Sequence, residues 1–301
     1  MMEITSPGKI ILFGEHAVVY GKPAIAAPVN SLTTNVKLKI TDDEISKIII
    51  TDKSLTPEER NRLEELLELV KKELVIKDNF HITIDSSVPI SSGMGSSASL
   101  CVSIVKSLLL HKNNSVDVEE LSKLALIGEK IFHGNPSGID TNVISYNQTL
   151  FFQKKKKNEF IKIKKPLNIL IADSGIKGST KRAVSLVKKK YEENKIIYSK
   201  IFDDMEKISI VSKKAIEEGD IEKLGRMMTL NHALLKMIGV TNEKLDYMFS
   251  SAIDYGAYGA KISGAGMGGN IIALVKEEDI ENITEALREN GAVHVYHTVI
   301  K

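Results

Sequence analysis

The chain has 301 residues, of which 43% are hydrophobic and 27% are charged, and these proportions exclude a disordered protein. The length exceeds the roughly 100 to 200 residues of a single domain, so two lobes are expected. The 41 basic and 39 acidic side chains nearly cancel, and we therefore expect no nucleic-acid partner and no attraction to an acidic membrane surface.

The cysteine content and the first residues favour a cytoplasmic location. Cys101 is the only cysteine, so an intramolecular disulfide is excluded and a reducing compartment is expected. The opening sequence M-M-E-I-T-S-P-G-K lacks the apolar segment of a signal peptide. No run of eighteen apolar residues occurs, so we expect no membrane-spanning segment.

Hydrophobic patterns predict a chain that mixes strands and helices. In the first half, strands are predicted at 9–13, 33–40, 46–51 and 80–85, and helices at 57–76, 97–111 and 117–132. Leucines and a valine at helical spacing give the first of these helices an apolar face, and Asp117 is the predicted cap of the third. In the second half, strands are predicted from near 166 (L-N-I-L-I-A-D), at 270–275 and at 292–299, and helices at 180–193, 196–218, 220–237, 241–255 and 277–290. This order predicts an α+β fold with two lobes, residues 1–160 and 161–301.

The segment from Pro89 to Ser99, P-I-S-S-G-M-G-S-S-A-S, is the strongest candidate for a ligand-binding loop. Gly93 and Gly95 tolerate positive φ and allow the backbone to approach a ligand closely. Three serines beside and after these glycines add hydroxyl groups, and the predicted helix directs its first N–H groups to the same place. This combination is typical of a site for the phosphates of a nucleotide. The alternative is a flexible Gly/Ser turn.

The last glycine-rich segment in chain order, S-G-A-G-M-G-G at 263–269 (the third glycine segment), contains the pattern G-x-G-x-x-G. A dinucleotide-binding site needs a helix directly after these glycines, whereas N-I-I-A-L-V at 270–275 has strand character. The segment is therefore interpreted as a loop that leads into a strand and presents its backbone to a neighbour. A Walker A motif does not occur in the chain.

Ionisable residues accompany two other segments. P-G-K-I-I-L-F-G-E-H-A-V-V-Y-G places Lys9, Glu15 and His16 on or just after a predicted buried strand, where charges are costly unless they are paired or used. Glu129 lies near the end of a predicted helix, and Asp140 closes the loop H-G-N-P-S-G-I-D. Structural alternatives remain open: a solvated edge residue for Lys9 and a helix cap for Asp140.

Taken in chain order, these segments resemble the motifs of the GHMP kinases, from Pro7 to Gly269. The segment P-G-K-I-I-L-F-G-E-H-A-V-V-Y-G (the first motif) and the loop H-G-N-P-S-G-I-D are most similar to the corresponding segments of the family members that phosphorylate mevalonate. The resemblance implies a nucleotide-binding N-terminal lobe, a ferredoxin-like C-terminal lobe, mevalonate and ATP as substrates, Mg²⁺ as the cofactor, and an assembly that could be a homodimer.

The resemblance also implies roles for residues near the acceptor substrate. Asp140 matches the catalytic aspartate, and Lys9 matches a lysine beside the acceptor hydroxyl. Glu15 and His16 match positions that line the mevalonate pocket, and Thr180 matches a threonine near the substrate. Two alternatives stay open: a related kinase acting on phosphomevalonate or a sugar, and a non-catalytic relative that senses a metabolite.

For the nucleotide and the metal, Ser97 and Glu129 match the magnesium ligands, and the segment 263–269 matches the motif that supports the phosphate loop. Met267 and Asn270 depart from the pattern, since glycine and a small residue are usual at these two positions. The residues that match the ATP loop are Pro89, Ile90, Ser91, Ser92, Gly93, Met94, Gly95, Ser96, Ser97, Ala98 and Ser99.

Overall fold

The structure, a computed structural model, describes residues 1–51, 56–90, 92–134 and 136–301. The chain forms two compact units. The first unit comprises Met1–Lys9, Asn30–Ile90 and Met94–Asn147, and the second comprises Ile10–Val29, Ser91–Gly93 and Gln148–Lys301. The division into residues 1–160 and 161–301 stays a prediction. Within the described ranges, no helix is both long and apolar enough to cross a membrane.

Two long strands, β1 (Met2–Phe13) and β2 (Ala24–Thr41), contribute residues to both units. The other elements of the first unit are β3 (Lys47–Ile50), α1 (Pro57–Glu73), β4 (Asn79–Ser86), α2 (Ser96–Asn113), α3 (Val118–His133) and α4 (Ile139–Tyr146). β4 pairs antiparallel with residues 34–41 of β2 and parallel with β3. Alternate residues of β4 (Phe80, Ile82 and Ile84) are fully buried with residues of α1, α2 and α3.

Local signals account for the positions of these helices. Thr56 and Glu59 form a capping box at the start of α1, and Asp117 accepts a hydrogen bond from the Glu120 N–H at the start of α3, as predicted. α2 and α3 pack closely because Gly128 has no side chain: a Cβ there would lie 2.4 Å from Sγ of Cys101. This contact places the first turn of α2 near the last turn of α3.

The second unit contains a four-stranded antiparallel sheet in the order β10-β7-β9-β8. The elements of the second unit are β5 (Leu150–Phe152), β6 (Glu159–Phe160), β7 (Leu167–Asp173), α5 (Thr180–Glu193), α6 (Lys195–Glu218), α7 (Ile221–Met237), α8 (Glu243–Asp254), β8 (Gly259–Ser263), β9 (Asn270–Val275), α9 (Ile280–Glu289) and β10 (His294–Ile300). β5 pairs with the first residues of β2 and with β6. Apolar residues of α5 to α9 pack on the sheet, as a ferredoxin-like lobe requires.

Most predicted elements agree with the structure, but the two longest strands begin well before their predicted bounds. β1 begins at Met2 and not at residue 9, and β2 begins at Ala24 and not at residue 33, because Pro7, Gly8 and Pro28 are residue types that are depleted in strands. β8 was not predicted, because its sequence G-A-K-I-S contains a glycine and a lysine. The sequence predicts α4 only as a helix that Asp140 could cap. In the structure Gly138 occupies the N-cap position, and Asp140 lies in the first turn. The strand predicted after the third glycine segment is confirmed as β9.

Candidate active site

Lys9 and Asp140, both in the first unit, form an ion pair with 3.2 Å between Nζ and Oδ2. The Lys9 side chain is 4% exposed and that of Asp140 is 27% exposed. Lys9 also donates its backbone N–H to the carbonyl of Met94. Gly95 makes room for the lysine, since a Cβ at this position would lie 2.7 Å from Cγ of Lys9. The pair therefore combines a buried ammonium group with a carboxylate that keeps access to solvent.

α4 holds Asp140 in its first turn. Gly138 adopts φ +85° at the N-cap, a conformation that favours glycine, and its carbonyl accepts hydrogen bonds from the side chains of Thr141 and Asn142. The start of a helix favours a carboxylate, because unpaired N–H groups point there. Asp140 thus gains a fixed position from α4 and does not serve as its cap.

Glu129, near the end of α3, lies beside Ser97 at the start of α2. The Ser97 hydroxyl donates to Oε1 of Glu129 at 2.8 Å, and Nε2 of His133 lies 2.9 Å from the Ser97 oxygen. Burial and, next, the charge of Asp140 raise the pKa of Glu129 to about 7, although Ser97 and Lys9 oppose the shift. Burial lowers the pKa of His133, which favours its neutral form.

The oxygen atoms of Ser97 and Glu129 suit a hard divalent cation. A buried carboxylate close to a second carboxylate is a position where a cation would relieve repulsion. Among the residues that the structure describes, no group of three or more His, Cys, Asp or Glu could enclose a metal. One carboxylate and one hydroxyl fit Mg²⁺, which usually keeps several waters and binds phosphate oxygens as well.

The loop before α2 has the geometry of an anion site. Gly95 is the N-cap of α2 with φ +72°, no side chain of the described residues caps the helix, and its first turn contains no acidic residue. The first N–H groups of α2 are therefore available to an anion. Met94, Ala98 and Ser99 are buried and fix this helix start in the core.

The remaining loop residues differ in exposure. Pro89 and Ile90 are half-buried, Ser92 is buried and Gly93 is exposed. Ser96 is buried at the beginning of α2. Ser91, also predicted to bind ATP, lies outside the described residues, as does Asn135 in the loop before Asp140.

Glu15, in the second unit, is enclosed by a lysine and an asparagine that sequence reasoning missed. Nζ of Lys261 donates to the Glu15 carboxylate, and Nδ2 of Asn231 donates to its other oxygen at 3.2 Å. Burial raises the pKa of Glu15 and lowers that of Lys261, while the attraction between the two groups opposes both shifts. Lys261 lies in β8, the strand before the third glycine segment, and no local signal in the sequence indicates its pairing with Glu15.

His16 and Thr180, the other predicted substrate-side residues, also belong to the second unit. His16 is buried, and Nε2 of its ring lies 2.8 Å from the carbonyl of Ala265. Since burial lowers the pKa of His16, the ring is neutral and Nε2 carries the proton that this carbonyl accepts. Thr180 is exposed at the first residue of α5.

The third glycine segment forms the loop between β8 and β9. Ser263 Oγ donates to the carbonyl of Ile11 and accepts from its N–H, which joins the loop to β1. Met267 has φ +60° and donates its N–H to the carbonyl of Val240. The segment therefore presents backbone to a neighbour, the loop between α7 and α8, as predicted.

Two family models match the chain: the N-terminal domain of the GHMP kinases at residues 61–148 and their C-terminal domain at residues 212–293. A mevalonate kinase from Pyrococcus horikoshii is 32% identical, with 96% of this chain and 92% of the relative covered. The crystal structure of L. major mevalonate kinase in complex with R-mevalonate has a TM-score of 0.90 at 27% identity and covers 100% of this chain and 96% of that one. The Methanococcus jannaschii mevalonate kinase structure has a TM-score of 0.87 at 29% identity, covering 100% and 98%. The chain belongs to the GHMP kinase family.

Proposed function

We propose that the protein phosphorylates mevalonate with ATP to give 5-phosphomevalonate and ADP, in the mevalonate pathway of isoprenoid biosynthesis. The observation that carries this proposal is the Lys9–Asp140 ion pair, whose carboxylate stays accessible while Glu129 and Ser97 lie close by. The named relatives add the substrate, because they are mevalonate kinases that match nearly the full chain.

Phosphoryl transfer requires the charge on the phosphates to be neutralised and the acceptor oxygen to be held in line with the bond that breaks. The uncapped N–H groups at the start of α2 supply part of that neutralisation. The positive φ of Gly93 and Gly95 shapes the backbone before the helix so that it follows the phosphates closely.

Asp140 and Lys9 act on the acceptor hydroxyl. Asp140 accepts the hydrogen bond of the hydroxyl, orients its oxygen toward the γ-phosphate and receives the proton as the new P–O bond forms. Lys9 stabilises the negative charge that develops on that oxygen and holds the Asp140 carboxylate in place through the ion pair. Because the transition state of phosphoryl transfer is loose, orientation of the hydroxyl contributes to the rate together with proton removal.

Mg²⁺ is the proposed cofactor, with Ser97 and Glu129 as its protein ligands. The bound ion would neutralise charge on the β- and γ-phosphates. Glu129 would bind the ion in its ionised form, and Ser97 would offer an oxygen lone pair while its hydroxyl keeps a neighbouring acceptor. Their hydrogen bond already holds the two oxygens 2.8 Å apart.

Glu15, His16 and Thr180 are the proposed residues on the mevalonate side. Glu15 is fully enclosed by its internal partners, so its proposed contribution is to fix the turn that carries His16. The neutral His16 ring and the Thr180 hydroxyl offer hydrogen bonds to a polar substrate. A homodimer and a cytoplasmic location stay predictions.

A substrate panel tests the proposal. Purified protein with ATP and Mg²⁺ is incubated with mevalonate, phosphomevalonate, galactose or homoserine, and ADP release is measured together with the mass of the product. We expect ADP and 5-phosphomevalonate from mevalonate. Lys9→Met, purified in the same way, should show a strongly reduced rate, which controls for contaminating kinases. Turnover of another acceptor with mevalonate inert would refute the substrate. Binding of ATP without turnover of any acceptor would instead favour a metabolite sensor.

A further inference from the structure

Asn270, the first residue of β9, reaches from the third glycine segment to the loop before α2. Its side chain is buried, and its Nδ2 donates to the carbonyl oxygen of Ser92 at 2.7 Å, across 178 residues of sequence. A carbonyl oxygen can only accept, so the nitrogen of the amide must face Ser92. The family resemblance marks this position only as a departure from the small residue that is usual there.

The hydrogen bond from Asn270 adds a directional interaction to the close packing of backbone atoms between the two loops. A Cβ on Gly269 would lie 3.0 Å from the same Ser92 carbonyl oxygen, and a Cβ on Gly264 would lie 3.7 Å from Cα of Gly93. The backbones of the two loops therefore pack against each other, but such packing alone does not fix the orientation of a peptide group. A hydrogen bond to the Ser92 carbonyl does.

Asn270 is itself held on a rigid base. It pairs with Ser263 in β8 and with Asp173 in β7. The residue before it is fixed too, because the carbonyl of Gly269 accepts hydrogen bonds from both the N–H and the hydroxyl of Ser174. The donor therefore has a well-defined position from which to hold Ser92.

The Asn270 amide also destabilises the folded state through one of its atoms, so a favourable interaction of the other atom is expected. Oδ1 of Asn270 is buried and has no hydrogen-bond partner among the residues that the structure describes. A buried acceptor without a partner destabilises the folded state. A small apolar residue at this position would avoid that penalty, so the bond to Ser92 is the favourable contribution that the amide makes.

Gly93 and Gly95, which follow Ser92, both have positive φ, and glycines lose more conformational entropy than other residues when they are fixed. A loop that is ordered before its ligand arrives binds more tightly, because less entropy is lost on binding. We propose that Asn270 is a positioning residue of the nucleotide loop, which holds the carbonyl of Ser92 and thereby pre-organises the loop for the phosphates of ATP. This inference rests on the proposed function.

Two substitutions test it. Asn270→Ala removes the amide, and Asn270→Asp keeps its size but places an acceptor opposite the Ser92 carbonyl. The dissociation constant of a non-hydrolysable ATP analogue is measured by calorimetry, and the Michaelis constants for ATP and mevalonate by kinetics. Loss of one hydrogen bond should weaken nucleotide binding by about three- to tenfold, and the acceptor in Asn270→Asp should weaken it at least as much. The Michaelis constant for mevalonate should stay unchanged.

Asn290→Ala is the matched control, since Nδ2 of Asn290 donates to the carbonyl of Ala286 at 2.9 Å, at the end of α9. It should lower the melting temperature without changing nucleotide affinity. Unchanged nucleotide affinity in both Asn270 variants would overturn the inference, and so would an equal loss for both substrates. The ATP analogue binds whether or not a phosphoryl acceptor is present, so the binding result can be interpreted even if mevalonate is not phosphorylated. Absence of mevalonate phosphorylation would count against the proposed function alone. If Asn270→Ala does not fold, the near-isosteric Asn270→Asp decides.

Discussion

The ion pairs Lys9–Asp140 in the first unit and Lys261–Glu15 in the second both place a buried lysine beside a carboxylate, but the two pairs differ in access to solvent. In the first unit, Lys9 is 4% exposed but its partner Asp140 is 27% exposed. In the second unit, Lys261 and Glu15 are 0% and 1% exposed, and Asn231 occupies the second oxygen of the carboxylate. The Asp140 carboxylate of the first pair is accessible to a substrate, whereas the Lys261–Glu15 pair is enclosed on all sides by protein.

The difference separates catalysis from fold maintenance. A charge that acts on a substrate must keep at least one atom free to contact it, so an accessible carboxylate with a buried cation is suited to chemistry. A closed pair has already lost its hydration, and removing one partner leaves the other charge buried and uncompensated. Substitutions in the first pair should therefore change turnover, and substitutions in the second should change stability.

The largest expected effect is that of Asp140→Asn. It should lower turnover by about 10²–10⁴-fold, because the amide cannot receive the proton of the acceptor hydroxyl. The free energy of unfolding should change little, since the amide keeps the shape and can still accept from Lys9, and loss of the charge relieves its repulsion with Glu129. Turnover and urea denaturation are measured on the same preparation.

Lys9→Met sharpens this result. If Lys9 and Asp140 act as a unit on one hydroxyl, the double variant should be scarcely slower than the slower single variant. Fully multiplicative losses would show that the two residues act independently. Near-normal turnover in Asp140→Asn would show that the accessible pair is structural.

The second effect concerns the closed pair. Lys261→Met should lower the free energy of unfolding by about 3–5 kcal/mol, because Glu15 stays buried without its cation. The double variant Lys261→Met/Glu15→Leu replaces the charges with apolar groups and should recover part of that loss. A large loss of turnover in Lys261→Met with unchanged urea denaturation would break the comparison, since the closed pair would then belong to the chemistry.

The smallest effect concerns Glu129, whose pKa is raised from 4.5 to about 7. Between these values the folded protein holds a proton that the unfolded chain releases, so the stability of the metal-free protein should fall as pH rises through this range and level off above it. Glu129→Gln should lack this contribution and should need several-fold more Mg²⁺ for half-maximal turnover. An unchanged Mg²⁺ titration would show that Glu129 has only a structural role.

Sequence reasoning recovered the features that depend on local signals. The cap formed by Asp117 and the apolar face of α1 lie within a few residues of the signals that predict them. The resemblance to a family selected Lys9, Asp140, Ser97 and Glu129, and the structure places these four within one unit. Their roles in the reaction are the proposals made above.

The features that were missed depend on contacts between distant parts of the chain. Lys261 pairs with Glu15 across 246 residues, and no local pattern distinguishes it from a solvated lysine at the edge of a strand. The same holds for Asn231, whose partner lies 216 residues away. Asn270 was noticed in the sequence, but its bond to Ser92 depends on the packing of two loops and has no local signature.

The loop between β8 and β9 has a consequence for how the protein is synthesised. His16 and Ile11 bond to Ala265 and Ser263 across 249 and 252 residues, so the partners of the first motif leave the ribosome late. At about 5–20 residues per second, roughly 10–50 s separate the synthesis of the two segments. During that interval Glu15 has no lysine to pair with and must remain hydrated. The nascent second unit therefore cannot close until the last fifth of the chain has been made, and a ribosome that stalls before Lys261 leaves a chain whose first motif is exposed to proteases.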